Sequence, residues 1–539
     1  MPHAARILAL LMTATLMASA TAQDGLWSSA EPIEQSLASL SPAAVEAWRI
    51  NPRSGLVDDG RATLTIALPG RATLEARIKH VFRHGPDALT WTGTIEGEAG
   101  HVLLARRGEW ISGVVNTATE SWEIRPDAEH GQILMRIDPA GFPACGGGID
   151  PGETMPPESS NATVAAPEEI GGDTAGVNGD KTAIDLLVVY SEAAREQLGG
   201  TAQIEAHAQA AIDNGNLALR DSLTETSWNI AHIAEIDFTE TGTCGDRLGA
   251  LRVNAQAQDL RDRYGADMVG MLLADGGSAC GCGYVMRNPG PEFAASAFQV
   301  TANNCAVGNL TYAHEHGHNS GMEHDPANGA SPGAASYDWS FGHYADRLFR
   351  TVMSYSNPCS SGCPRQPYFS NPDISFNNIP TGIDRERHNA LTAALTAPII
   401  AEFRERPVQE PELSVDPAAL EPAVLAGQTA AVEMTLSNNG TAALDWTISA
   451  APEGRSGRVD GTSNGALPWL DVDMESGSLA AGAQEVITLS LDAAELDIGE
   501  YPGRIDIDSN DPEQPETAVP ITLEVLGPAI LEDRFEALP

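Results

Sequence analysis

Residues 314–325 read His-Glu-His-Gly-His-Asn-Ser-Gly-Met-Glu-His-Asp, and the residue types and spacing in that stretch prescribe a metal site. His314 and His318 lie about one helical turn apart, so on a helix both imidazoles project from one face. Gly321 follows where a helix ends cheaply in a left-handed residue. The chain can then turn back and bring in His324 as a third ligand. Three neutral nitrogens leave a tetrahedral zinc one open position, the mark of a catalytic rather than a closed structural site. Glu315 stands beside the first ligand, where a general base must be to take a proton from the attacking water. A bare His-Glu-x-x-His also arises by chance in helices. The glycine and the third histidine at fixed offsets are what chance does not readily supply.

The extended pattern H-E-x-x-H-x-x-G-x-x-H resembles the metzincin signature. Further along, Thr351-Val352-Met353-Ser354-Tyr355 is similar to a Met-turn. The resemblance implies that Met353 lies beneath the zinc ligands as an apolar floor, although a lone Met is ordinarily core filler. It also implies that Tyr355 could reach the metal or a developing oxyanion, as in astacin-like and serralysin-like members. A phenol that only packs is the other reading. Asp325 directly after the third histidine, and Pro367-Tyr368-Phe369-Ser370-Asn371-Pro372 after the Met-turn, resemble the reprolysin/adamalysin branch, especially secreted bacterial reprolysin-like peptidases. The chain departs from that branch at His316 and Ser320, where reprolysins usually carry apolar residues. These two positions should face together, with His316 bonded to Ser320 or to a buried carboxylate and badly placed to be a ligand. The Cys that animal members often carry soon after the His-Asp is also missing.

Arg6 precedes an apolar run, Ile7 to Ala20, that ends in Ala20-Thr21-Ala22 ahead of Gln23. That reads as a secretory signal peptide over residues 1–22. No later stretch reaches the roughly 18–20 apolar residues of a transmembrane helix, so a soluble, exported protein is expected. Cys244, Cys280, Cys282, Cys305, Cys359 and Cys363 form an even set, which in an exported domain suggests three disulfides with the connectivity open. Cys359 and Cys363 are the preferred pair, close enough to staple the loop after the Met-turn. Cys145 is left over, in Pro143-Ala144-Cys145-Gly146. It is either a free or intermolecularly paired thiol, or an inhibitory zinc ligand in a precursor. The second reading resembles the cysteine switch of matrix metalloproteinase and reprolysin precursors.

The formal charge of −43, from 74 acidic against 31 basic residues, argues against nucleic-acid binding, which needs a basic surface. Such an excess favours solubility. Calcium sites would fit it, but no EF-hand or Gly-Asp-rich repeat supports them.

Composition divides the chain. Residues 23–145 alternate apolar and polar positions, as in Leu64, Ile66 and Leu68, and read as a β-rich propeptide. Residues 146–180 are rich in Gly, Pro, Ser and Glu, an expected linker and maturation site that carries a formal sequon at Asn161. Residues 181–406 alternate strands and helices and should form an α/β metzincin catalytic domain with a mixed sheet and an active-site helix. There Thr201 is expected to cap a helix, Leu248–Tyr264 to form another, and Ala295–Thr301 to be the edge strand along the cleft, which the metzincin resemblance implies is antiparallel and is extended by a bound substrate strand. Residues 410–527 read as an Ig-like β-sandwich that would bind substrate or a surface, or act as a spacer. Residues 528–539 form a tail. The expectation is a secreted zinc endopeptidase made as a zymogen and acting on proteins or peptides. The alternatives are a non-catalytic exported adhesion or binding protein with a structural zinc, and a hydrolase of cell-wall amides.

Overall fold

A computed structural model describes residues 25–27, 29–34, 37–57, 60–85, 87–154, 182–360, 362–405, 410–452 and 467–527. The expected signal peptide, the sequon, most of the linker and the tail lie outside these residues. The chain forms two compact units, residues 1–406 and 407–539. No helix among the described residues is long and apolar enough to cross a membrane.

The amino-terminal part of the first unit is a nine-stranded antiparallel sheet. Thr63–Ile66 through Gly131–Ile137 run as a meander in chain order, and Ala44–Ile50 and Ala30–Pro32 extend it past the last strand. The period-two alternation of a strand explains its two buried faces. Val102 and Leu104 enter one core with Trp91, Trp122 and Leu134. Leu103 and Ala105 point the other way and share a core with the following α/β region. The expected propeptide and catalytic domain therefore form one packed body.

The α/β region is built on a six-stranded sheet. In space its strands are ordered Gly148–Ile149, Gly281–Tyr284, Phe298–Ala302, Met268–Leu273, Thr182–Tyr190 and Thr226–Glu235. The last four are parallel, and the apolar, buried runs of the central Thr182–Tyr190 and Met268–Leu273 are what a sheet covered on both faces requires. Gly281–Tyr284 is antiparallel to Phe298–Ala302.

Several expectations need correction. Phe298–Ala302 is an interior parallel strand, and Ala295 belongs to the 3-10 turn Pro291–Ser296 that leads into it. The antiparallel strand toward the edge is Gly281–Tyr284, whose Gly-Cys-Gly-Tyr sequence lacks the β-branched residues that mark strands. Thr201 is the first residue of its helix rather than the cap; Gly200 holds that place with no side-chain bond. The helix expected over Leu248–Tyr264 is two, Cys244–Arg252 and Ala255–Arg263, because Asn254 caps the second through the Ala257 N–H. The stretch expected to be a linker from residue 146 begins docked, with Gly148–Ile149 paired to the sheet.

The helix Thr201–Asp221 crosses between the two sheets. Three of its buried polar residues bond to the nine-stranded sheet on one side. His207 Nδ1 meets Ser112 Oγ at 2.9 Å, Gln209 donates to Thr90 Oγ1 at 3.1 Å, and Asp213 meets His84 at 2.7 Å. Such groups are tolerated in an interior only when paired.

The second unit has a four-stranded and a five-stranded sheet around one core that contains Met434, Leu436, Trp446, Ile487, Leu489, Ile505, Ile521 and Leu523. Alternation of apolar and polar residues along each strand supplies that core.

Candidate active site

The helix Thr311–Asn319 carries His314, Glu315 and His318, all fully buried. Its underside is shaped by glycine: a Cβ on Gly317 would lie 2.4 Å from Met353 Sδ, so the thioether packs directly against the helix between the two histidines. The helix stops at Ser320, and Gly321 adopts φ +82°, a conformation that glycine takes without strain. The chain reverses there and delivers His324.

The three imidazoles converge. His324 Nε2 lies 3.0 Å from His318 Nε2 and 3.2 Å from His314 Nε2. Each Nδ1 faces a backbone carbonyl, Val352 O at 2.8 Å for His314, Met322 O at 2.9 Å for His318 and Asn328 O at 3.3 Å for His324. A carbonyl can only accept, so each Nδ1 carries the proton and each Nε2 presents a lone pair. Three lone pairs aimed at one point are unfavourable unless a cation lies between them, and the donor set suits zinc. Burial depresses all three histidine pKa values, His318 to about 4 and the other two well below the usual range. The imidazoles are therefore neutral and ready to ligate.

Glu315 is buried; neither oxygen makes a hydrogen bond of ordinary geometry, the Cys145 thiol is its polar neighbour, and burial raises its pKa to about 8. Asp325 anchors the Met-turn by accepting from the Tyr355 N–H at 3.0 Å and from Ser354 Oγ at 3.3 Å. The Tyr355 ring sits 4.2 Å from that of His324. His316 points away from the triad. Its Nδ1 meets Asn319 Oδ1 at 3.2 Å and its ring lies against Tyr312 and Trp228. The expected bond to the Ser320 side chain is absent, because Ser320 Oγ donates to the His316 carbonyl instead.

Cys145, the free cysteine, joins the cluster: its sulfur and ligand nitrogens of His314, His318 and His324 all lie within 4.8 Å of one another. Its segment is held along the edge strand. Ala144 O accepts from Cys280 N at 3.1 Å, Gly146 N donates to Gly281 O at 2.7 Å, and Ile149 O accepts from Val285 N at 3.0 Å. Disulfides Cys244–Cys282 and Cys280–Cys305 fasten that strand from behind, and Cys359–Cys363 closes the loop beyond the Met-turn. The Cys145 thiol pKa is raised, first by burial and then by the charge of Glu315.

Two arginines that sequence reasoning passed over also line the site. Arg350 and Arg365 border the cavity beside His314. The signal was there: Arg350 immediately precedes the Met-turn, between Leu348-Phe349 and Thr351-Val352-Met353, and buried arginine is rare without a purpose.

Comparison with known proteins agrees with this geometry. Residues 180–370 match the family model described as Metallo-peptidase family M12. The chain is 28% identical over 395 residues to a peptidyl-Asp metalloendopeptidase of Xanthomonas campestris, covering 70% of this chain and 89% of that protein. It is 29% identical over 337 residues to one of Stenotrophomonas maltophilia, covering 60% and 76%. A third relative of the same name, from Pseudomonas aeruginosa, is 32% identical over 249 residues, covering 41% and 40%. The histidine cluster and these relatives together set aside the non-catalytic alternative and support a metzincin-like zinc metallopeptidase that acts as a metalloendopeptidase.

Proposed function

We propose that the chain is the exported zymogen of an Asp-directed zinc endopeptidase. In this reading His314, His318 and His324 hold the metal, Glu315 is the general base, and Cys145 occupies the open position until the amino-terminal region is removed. The observation that carries it is the meeting of three Nε2 atoms whose Nδ1 partners are all carbonyls, with a buried carboxylate and a thiol beside them. Zinc bound there supplies a Lewis acid for the scissile carbonyl and the attacking water.

The polar neighbour of Glu315 is the Cys145 thiol; once that segment is gone, the carboxylate is left to take a proton from the attacking water and return it to the leaving amine. Met353 fixes the depth of the helix and Asp325 the course of the Met-turn, which holds Tyr355 in place. Tyr355 Oη donates to the Cys145 carbonyl at 3.1 Å. With that segment gone, the same donor is available to a developing oxyanion.

Residues 23–145 act as the propeptide, docked through its sheet and through residues 144–149, and maturation cuts within residues 170–185. Residues 1–22 direct export. The preference for Asp is suggested by the name shared by the three relatives.

The test is cleavage of casein and clearing of a peptidoglycan suspension by protein matured from the full-length chain, with and without a zinc chelator. Chelator-sensitive casein cleavage without peptidoglycan clearing is expected. Chelator-insensitive casein cleavage, or clearing of peptidoglycan alone, would overturn the reading.

A further inference from the structure

A cavity of about 320 Å³ opens beside His314. Asn309, Thr311 and Tyr355 form part of its wall, and Arg350 and Arg365 bring two guanidinium groups to it. Arg350 is only 3% exposed. It donates to Cys363 O at 3.0 Å, Ser354 O at 2.7 Å and Asn309 Oδ1 at 3.4 Å. Arg365 donates to Asn309 O at 2.6 Å and Ser354 O at 3.4 Å, and its Nε is buried with no partner. Every acceptor is a neutral oxygen. Among the described residues no carboxylate lies within ion-pair distance of either guanidinium, although the chain carries 74 acidic residues.

Two guanidiniums side by side, one buried and one half-buried, with no carboxylate in contact are costly, the nearest opposite charges being Cys145 and Glu315 for Arg365 and Asp325 for Arg350. They persist where structure holds them for a purpose. Phe142, Pro143 and Ala144 of the pro-segment bring no carboxylate to the cavity, and the one charge-bearing group it offers Arg365, the Cys145 sulfur, leaves with it.

We infer that Arg365, backed by Arg350, is the specificity-determining group of this site and receives the carboxylate side chain of the substrate residue next to the scissile bond. This rests on the peptidase reading above and names the residues that carry its preference. The unpartnered Nε and the weakly held Nη2 of Arg365 present the fork that pairs with a carboxylate through two parallel hydrogen bonds. Arg350, its own hydrogens spent on two backbone carbonyls and the Asn309 side chain, adds positive potential. A neutral isostere in that pocket would leave the guanidinium buried and unpaired, which is how polar sites reject analogues by large factors. Lysine would supply charge without the fork.

The experiment compares kcat/KM for two peptides that differ only in Asp or Asn beside the scissile bond, using enzyme matured from full-length wild type, Arg365→Gln and Arg365→Lys. Wild type should prefer Asp by at least about 100-fold. The ratio should fall at least about tenfold in Arg365→Gln, mostly through KM, with Arg365→Lys intermediate. Ratios within about threefold of wild type in both variants, including an equal loss on both peptides, would show that Arg365 only supports the loop. Should Arg365→Gln not fold, the lysine variant decides alone. A wild type that cleaves both peptides equally overturns this inference and leaves the peptidase reading standing. A wild type with no chelator-sensitive cleavage of either peptide, or of casein, defeats the peptidase reading itself.

Discussion

Tyr355 Oη donates a 3.1 Å hydrogen bond to the carbonyl oxygen of Cys145. In the proposed function the same phenol holds the pro-segment in the precursor and serves a substrate carbonyl in the mature form. Tyr355→Phe should lower kcat of the mature enzyme by about 10²-fold with KM little changed, as loss of an oxyanion donor does. It should also make the precursor leakier. Steady-state kinetics on the mature form, with residual activity of the precursor, checks both effects. Unchanged kcat would reduce Tyr355 to a packing residue.

Cys145→Ser replaces a thiol that can ligate zinc with a hydroxyl that binds it poorly. The precursor should then show peptidase activity before any cleavage, and thiol-modifying mercurials should activate wild-type precursor but not the variant. Latency retained in the serine variant would assign inhibition to the steric cover of residues 144–149 along the edge strand.

Glu123 gives a pH prediction for the precursor. It is fully buried in the nine-stranded sheet, its oxygens have no partner, and a Cβ on Gly308 would lie 2.3 Å from Oε2. Burial raises its pKa from 4.5 to about 7. A carboxyl whose folded value is raised keeps its proton in the native state, so stability is greatest below about pH 4.5 and is lost as the pH rises through about 7. Glu123→Gln removes this contribution. Thermal melts of the wild-type precursor should show Tm dropping between pH 5 and pH 8 by several degrees more than in the variant, corresponding to roughly 1–3 kcal/mol. Parallel pH profiles would rule the assignment out.

The chemistry of the site was legible because it is local. His314, Glu315, His318, Gly321 and His324 lie within one helix and one turn, so spacing alone sets their geometry. The Cys359–Cys363 pairing was equally local, at a separation of 4. The edge strand was not legible. Gly281–Tyr284 carries little strand propensity outside Tyr284, its two glycines opposing it, and is held extended by Phe298–Ala302 and two disulfides from distant residues. Nor was the packing of the nine-stranded sheet onto the helix Thr201–Asp221, because its polar contacts, such as Ser112 to His207, join residues 95 apart. Arg350 and Arg365 escaped notice for a related reason: their meaning lies in what surrounds them, which spacing does not encode.

The edge strand should depend on its disulfides. Cys280→Ala with Cys305→Ala opens a bridge spanning 25 residues and should cost about 2–4 kcal/mol. The loosened strand should raise KM for extended peptides more than for short ones. A double mutant with wild-type melting and an unaltered dependence on peptide length would contradict the positioning role given to that bridge.

The most direct test of the central claim is the metal content and peptidase rate of Glu315→Gln, measured on the same preparation after maturation. Glu315 makes no hydrogen bond of ordinary geometry and lies outside the converging nitrogens, so its loss should spare the metal and the fold. The account predicts about one zinc per chain, as a three-histidine site requires, and a rate at least about 10³-fold below wild type because the proton acceptor is gone. Near-wild-type turnover, or loss of zinc with the carboxylate, would contradict it.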